Sequence, residues 1–237
     1  MLKTFKKQKI KNIEFWPAIE GLTGISEIQP RLMTQMKPDW WKSLNLNFTI
    51  GEIGNARNCP SFQDVFSTAY VIPMWSDTRI LVEGENITIN TASNNFHWES
   101  HENSQFLDNA PINIKSSAQV VLKAICPWYM KTSDGYSSYQ MPMFYDFNED
   151  FSVLPGIIDT DRHYEINQQV LVHTLKKEFI IKRGDPFVSY FPFKREKFNL
   201  SVREQSKEDS FLLNKSKLSY QTKFHNGYRI GKKCQDL

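Results

Sequence analysis

The chain has 237 residues, of which 40% are hydrophobic, 23% charged and 14% aromatic, with a formal net charge of +3. These values fit a globular protein rather than a disordered one, and so small a net charge gives no global argument for a nucleic-acid partner. No apolar run approaches the roughly 20 residues that a membrane-crossing helix needs, and the basic start lacks the apolar region of a signal peptide. Cys59, Cys126 and Cys234 are odd in number and far apart, which fits a reducing compartment better than a disulfide framework.

In chain order, the first fifteen residues carry Lys3, Lys6, Lys7, Lys9 and Lys11. They read as a solvated tail, or as a basic arm touching an acidic partner or nucleic acid. Residues 16 to 59 read as irregular, broken by Pro17, Pro30, Pro38, Gly21, Gly24, Gly51 and Gly54. Within them, Pro38 to Leu44 predicts a short helix with proline at its start. Its adjacent Trp40 and Trp41 point in different directions. One packs on a core, and the other packs on a neighbouring segment, a subunit or a ligand, so both are interface candidates. Cys59 to Phe66 predicts a second short helix, with Phe62, Val65 and Phe66 on one face. Ala69 to Ile72 then turns into strand, stopped by Pro73.

From Asp77 the pattern is β. Thr78 to Glu83 and Ile87 to Thr91 flank Gly84-Glu85 as a hairpin. Asn95 to His101, Ser117 to Cys126, Trp128 to Lys131 and Tyr136 to Met143 follow as strands, with Asp134-Gly135 a turn. The stretch from Leu154 to Arg195 holds a short apolar run at Ile157-Ile158. Three strand-like runs come after it: Tyr164 to Val172, Glu178 to Ile181 and Phe187 to Phe193. Beyond Arg195 the chain is charged, and Leu212, Leu213 and Leu218 recur at helical spacing. The expected fold is mainly β, a jelly-roll or β-clip core over residues 68–197. An irregular aromatic arm over 1–67 precedes it, and a charged, partly helical or partly disordered extension over 198–237 follows.

Several groups carry potential chemistry. Asp159, Asp161 and Glu165 are either a hard-cation or general-base cluster or a turn whose aspartates accept backbone N–H groups; the turn is the favoured reading. His97, Glu99 and His101 fall on one face of a strand. The spacing of alternate strand residues, ~6.5–7 Å, is wide for three ligands to one metal, so they read as an exposed polar strand and no metal is assigned. His163 lies beside Asp161 as a potential titrating pair. Lys182-Arg183 and Lys194-Arg195-Glu196-Lys197 read as solvated charge, the alternative being a patch that faces an anion or nucleic acid.

Gly135-Tyr136, Pro142, Gly156-Ile157-Ile158-Asp159 and the run from Ile180 to Asp185 appear in the order and spacing of a known pattern. Over Gly135 to Pro192 the chain resembles the dUTPase and dCTP-deaminase superfamily, which implies a distorted jelly-roll, or β-clip, fold and a homotrimer. The resemblance places Asp159 where the family's aspartate orients the nucleophilic water. The family's sugar-stacking tyrosine falls on Arg162, with Tyr164 two residues on. Its Pro-Arg-Ser motif is replaced by Pro142-Met143-Phe144, its late glutamine by Ser189, and its glycine-rich phosphate-covering arm has no recognisable counterpart. The chain also resembles a family of tailed-phage proteins to which no activity is assigned, through Lys37-Pro38-Asp39-Trp40-Trp41, Cys59-Pro60-Ser61-Phe62, Gly156 to Arg162 and Ile181 to Arg195. The expected function is therefore that of a non-catalytic phage protein acting through oligomerisation or binding, in the host cytoplasm or the virion. Its expected partners are further copies of itself or a phage or host protein, without nucleic acid, membrane or cofactor. One alternative is a nucleoside-triphosphate pyrophosphatase using Asp159 and Mg²⁺. Another is a nucleotide or small-ligand sensor with Tyr136, Arg162, Tyr164 and Ser189 at its site.

Overall fold

The computed structural model describes residues 11–44, 55–83, 86–115, 118–173 and 178–222. Its strands are β1 (Ile13–Pro17), β2 (Arg31–Leu32), β3 (Tyr70–Pro73), β4 (Thr78–Glu83), β5 (Asn86–Thr91), β6 (Trp98–Ser100), β7 (Ala118–Ala124), β8 (Trp128–Thr132), β9 (Tyr136–Pro142), β10 (Phe151–Val153), β11 (Gly156–Ile158), β12 (Gln168–His173), β13 (Glu178–Ile181) and β14 (Pro186–Lys194). The helices are α1 (Asp39–Ser43), α2 (Pro60–Thr68), α3 (Ile112–Lys115) and α4 (Lys207–Thr222). The protein is mainly β, and the strand pairs are antiparallel. Among the described residues no helix is long and apolar enough to cross a membrane.

Two compact units divide the chain. One comprises Lys11–Met36 with Thr68–Arg195, and the other is built on Lys37–Ser67 and the chain from Glu196 onward. In the first, the sheets run in the orders β11-β9-β14-β3-β2, β10-β12-β7-β6, β13-β4-β5 and β1-β8. Strand β4 shows the simple case of how residues choose their faces. Thr78, Ile80 and Val82 are buried while Arg79 and Glu83 are exposed, because alternate side chains leave a strand on opposite sides. Phe187 to Tyr190 of β14 are all buried, as expected for a strand covered on both faces. The core gathers Trp75, Trp128, Leu122, Val170, Phe187 and Tyr190. The Tyr190 hydroxyl enters that core satisfied. It accepts from Gln168 Nε2 at 2.8 Å and faces Gln140 Oε1 at 2.8 Å and the Ile166 carbonyl at 3.1 Å.

The structure shortens or moves several expected elements. Residues 13–17, read as tail and irregular chain, form β1 along β8 from Ile13↔Thr132 to Pro17↔Trp128. Ile13 and Phe15 pack on the core, and that burial outweighs weak local signals. The strand expected from Tyr164 begins only at Gln168. Its first residues lie along β8 instead, where Met130 N–H donates to the Tyr164 carbonyl at 3.0 Å. The strand expected over 95–101 is confined to Trp98–Ser100. The hairpin of β4 and β5 is present, with its Gly84-Glu85 turn outside the described residues.

In the second unit, α1 and α2 form as expected. Trp41 is buried and packs against Phe62 and Phe66, with ring centroids 5.6 and 4.9 Å away. Lys37 supports the same cluster, its ammonium 5.0 Å from the Phe66 ring centre and 3.0 Å from Gln63 Oε1. The charged C-terminal stretch is helical over α4. Ser206 caps its start, with Oγ accepting from the Asp209 N–H at 3.1 Å while an Asp209 carboxylate oxygen accepts from the Ser206 N–H at 2.9 Å. This reciprocal pairing satisfies donors that the first turn leaves open.

Candidate functional site

The sequence pointed to the turn after β11, and the structure builds a polar clamp there. Asp159 closes the turn through its backbone, its carbonyl accepting the Arg162 and His163 N–H groups at 2.8 Å each. Asp161 then faces the β8–β9 turn, where Gly135 has φ 81°, a conformation that suits glycine. The Gly135 N–H donates to Asp161 Oδ2 at 2.8 Å. Arg195, just past β14, completes the arrangement. Its Nη1 donates to Asp161 Oδ1 at 2.8 Å, Ser137 Oγ at 2.9 Å and the Tyr136 carbonyl at 3.1 Å. Its Nη2 donates to Asp161 Oδ2, so the guanidinium grips that carboxylate with both prongs.

Asp159 joins the clamp from its outer side. Ser137 Oγ donates to Asp159 Oδ1, and Arg195 Nη1 lies 3.2 Å from the same oxygen. The Asp161 side chain is 4% exposed and that of Asp159 51%. Beneath them a buried hydroxyl chain links Thr132 Oγ1 to Thr160 Oγ1 at 2.8 Å and Thr160 Oγ1 to Ser138 Oγ at 3.2 Å.

The electrostatics follow from these partners. Hydrogen bonds from Arg195, then the Gly135 N–H, hold the Asp161 carboxyl at about 2. The Ser137 hydroxyl, followed by the charge of Arg195, lowers that of Asp159. A general base works best with a pKa near the working pH, and both shifts run the other way. Mg²⁺ requires oxygen ligands free to coordinate, whereas both Asp161 oxygens already accept hydrogen bonds and Arg195 neutralises charge beside them. Asp161 therefore offers no unengaged oxygen to a magnesium ion. The expected turn in which aspartate accepts backbone N–H groups is found at Asp161, with Arg195 and Ser137 added.

The remaining candidates lie in different places. Arg162 and Tyr164, with Trp16, Tyr129, His163 and Glu165, line an open depression of about 350 Å³. Trp16 meets Tyr164 edge-on at 5.5 Å. Tyr136 gives the clamp its carbonyl, while its ring lies 5.6 Å from the Lys11 ammonium. Ser189 sits apart and fully buried, with Oγ 3.1 and 3.2 Å from the carbonyls of Met141 and Pro142. Trp40 is 40% exposed and stands edge-on to buried Trp41 at 5.5 Å. Glu99 pairs with Lys123 at 3.0 Å and His101 Nδ1 lies 3.0 Å from Gln105 Oε1. Among the described residues no group of three or more His, Cys, Asp or Glu side chains is placed to hold a metal ion. Sequence reasoning missed Ser137 and Arg195 as site residues. The available signal for Ser137 was its place at the start of β9, directly after the Asp134-Gly135 turn.

No protein-family model matches the chain, and no curated protein matches it. Solved structures to which the chain is similar include the EIAV dUTPase, at 10% identity and a TM-score of 0.32, covering 59% of this chain and 86% of that one. They also include the dUTPase of phage phi11 of S. aureus, at 10% identity and a TM-score of 0.31, covering 76% and 97%. The Staphylococcus bacteriophage 80alpha dUTPase is similar at 10% identity and a TM-score of 0.32, again covering 76% and 97%. Likeness at this level carries no statement about activity.

The clamp makes a prediction with a definite sign. The Asp161 carboxyl is lowered from the ordinary 3.8 to about 2, so its contribution to stability is complete above about pH 4 and lost as pH falls toward 2. Asp161→Asn removes the two-pronged carboxylate of Arg195, leaving only the outer Asp159, and is expected to lower Tm at pH 7 by roughly 5 °C. The same substitution should flatten the acid limb of stability between about pH 4 and pH 2, read by thermal melts across that range. An unchanged Tm and an unchanged acid limb would contradict the clamp.

Proposed function

We propose that this chain is a non-catalytic binding protein that self-associates through the outer face of the β11–β9–β14 sheet. The observation that carries this reading is an apolar row across three strands. Ile157 pairs with Tyr139, and Tyr139 pairs with Phe191. Phe193 stacks on Tyr139 at 4.3 Å, and Phe144 meets Phe191 edge-on at 5.7 Å. Ile157 is 58% exposed and Tyr139 42%. Aromatic-rich exposed patches are characteristic of interface cores. An apolar row is also compatible with its own copy, because a symmetric contact brings like against like, and the charge at its border, Asp159, is paired with Arg195. The clamp borders this row through Ser137 and Asp159, whose side chains are already engaged with each other and with Arg195.

Self-association should appear in sedimentation velocity at tens of micromolar as a species larger than the 27.8 kDa monomer. Tyr139→Lys combined with Ile157→Lys should shift it toward monomer without loss of the folded circular-dichroism spectrum. A wild-type chain that stays monomeric would contradict the proposal, as would an oligomer indifferent to both substitutions.

The half-exposed carboxylate of Asp159 supports a second reading, a nucleotide pyrophosphatase in which it orients water. Its lowered pKa and its engagement by Ser137 and Arg195 favour the first. The expected outcome is no pyrophosphate release above background from any of the common nucleoside triphosphates with Mg²⁺. Release that disappears in Asp159→Asn while the fold is kept would establish the second reading instead.

A further inference from the structure

The loop between β9 and β10 forms a separate cavity. Its volume is about 380 Å³, and Phe144, Tyr145, Asp146, Phe147, Phe151 and Phe187 are among the residues lining it. That size lies in the range of small-ligand sites, about 300–1,000 Å³. Phe151 and Phe187 are nearly fully buried with ring centroids 5.8 Å apart. Phe144 and Tyr145 lie 6.1 Å apart in the loop, and Phe147 is 73% exposed.

One charged group stands in this aromatic lining. Asp146 is exposed at the edge of the cavity, where partial desolvation by the surrounding loop, and then the like charge of Asp185, push its carboxyl up from its ordinary value. Arg183, near Asp185 in sequence, is paired with Glu27 at 2.5 Å. No hydrogen bond or ion pair of Asp146 is formed among the described residues. The loop also keeps two residues in left-handed backbone on either side of it, Tyr145 at φ 65° and Phe147 at φ 53°. For bulky side chains that conformation is unfavourable, and it persists only where the surroundings enforce it. The aromatic lining excludes an anion and gives a neutral polar ligand few partners. It suits a cation with an apolar coat, because ring faces are negative and attract ammonium groups.

We propose that the cavity between the Met143–Asn148 loop and the Phe151–Phe187 floor binds a small organic ammonium ion, with its cationic head against Asp146 and its alkyl groups against the aromatic rings. Charge complementarity and aromatic lining together define the occupant. A hydrated metal ion would not use the rings, and a neutral apolar molecule would make no use of the carboxylate at the cavity mouth. This site is separate in residues from the sheet-face row, apart from Phe144, and does not depend on self-association.

Isothermal titration calorimetry of the full chain with choline, and with its uncharged isostere 3,3-dimethylbutan-1-ol, tests the proposal. Choline is expected to bind saturably, and the isostere roughly tenfold more weakly or worse. Asp146→Asn should weaken choline by roughly tenfold while leaving the isostere unchanged. No binding of choline by the folded wild-type chain overturns the proposal, and so does equal binding of the two compounds, which would make the cavity a plain apolar one. The wild-type comparison of the two compounds decides the matter even if the variant fails to fold.

Discussion

A single guanidinium connects three parts of the β unit that are distant in sequence. Arg195 follows β14, its backbone N–H donates to the Gly135 carbonyl at 2.9 Å, and its side chain reaches Tyr136 and Ser137 at the start of β9 and Asp161 beyond β11. Pairing of β9 with both β14 and β11 brings these segments together. The clamp then fixes their ends. A charge-assisted, two-pronged contact to a carboxylate that is almost fully buried is the geometry in which an ion pair holds its position, unlike an exposed pair free to exchange with water. Asp161 lacking Arg195 would be a buried carboxylate held by the Gly135 N–H alone, a costly arrangement for the turn.

That arrangement decides what the neighbouring surface is suited for. Catalysis by a carboxylate calls for an unengaged oxygen and a proton affinity matched to the reaction. Here both aspartates are lowered, and hydrogen bonds take up the inner one completely. Beside them the sheet presents Ile157, Tyr139 and Phe191 in register. A compensated polar border and an exposed apolar row are the features on which the proposed binding role rests. The aromatic loop around Asp146 differs in kind, since its carboxylate has no cationic partner among the described residues and its rings form a concave wall.

Much of the fold was legible because local pattern and tertiary environment agree. Alternation marked β4, turn residues marked Gly135, and the i, i+3, i+4 face of Phe62, Val65 and Phe66 marked α2. β1 was hidden because it follows a run of lysines and ends at Pro17, and only its pairing with β8 makes it a strand. Tyr164 and Glu165 read as strand because an aromatic residue there leads into the apolar run that ends at Val172, yet they meet β8 rather than extend β12. At the site, the Asp159–Asp161 turn was visible from its chemistry. Arg195 was read as solvated charge because its neighbours are charged, and nothing local reveals a partner 34 residues away. The contact of Ser137 with Asp159, 22 residues apart, likewise depends on the register between β9 and β11. The apolar row is itself a product of register, since Ile157, Tyr139 and Phe191 belong to three separate segments.

The most direct measurement is a carbon-detected NMR titration of the aspartate side-chain carboxyls in the folded chain. The clamp predicts that Asp161 titrates at about 2 and Asp159 below the ordinary 3.8, with both resonances responding to Arg195→Gln. Either carboxyl titrating at or above the ordinary value in the folded wild-type protein would contradict the clamp and return Asp159 to the list of working bases.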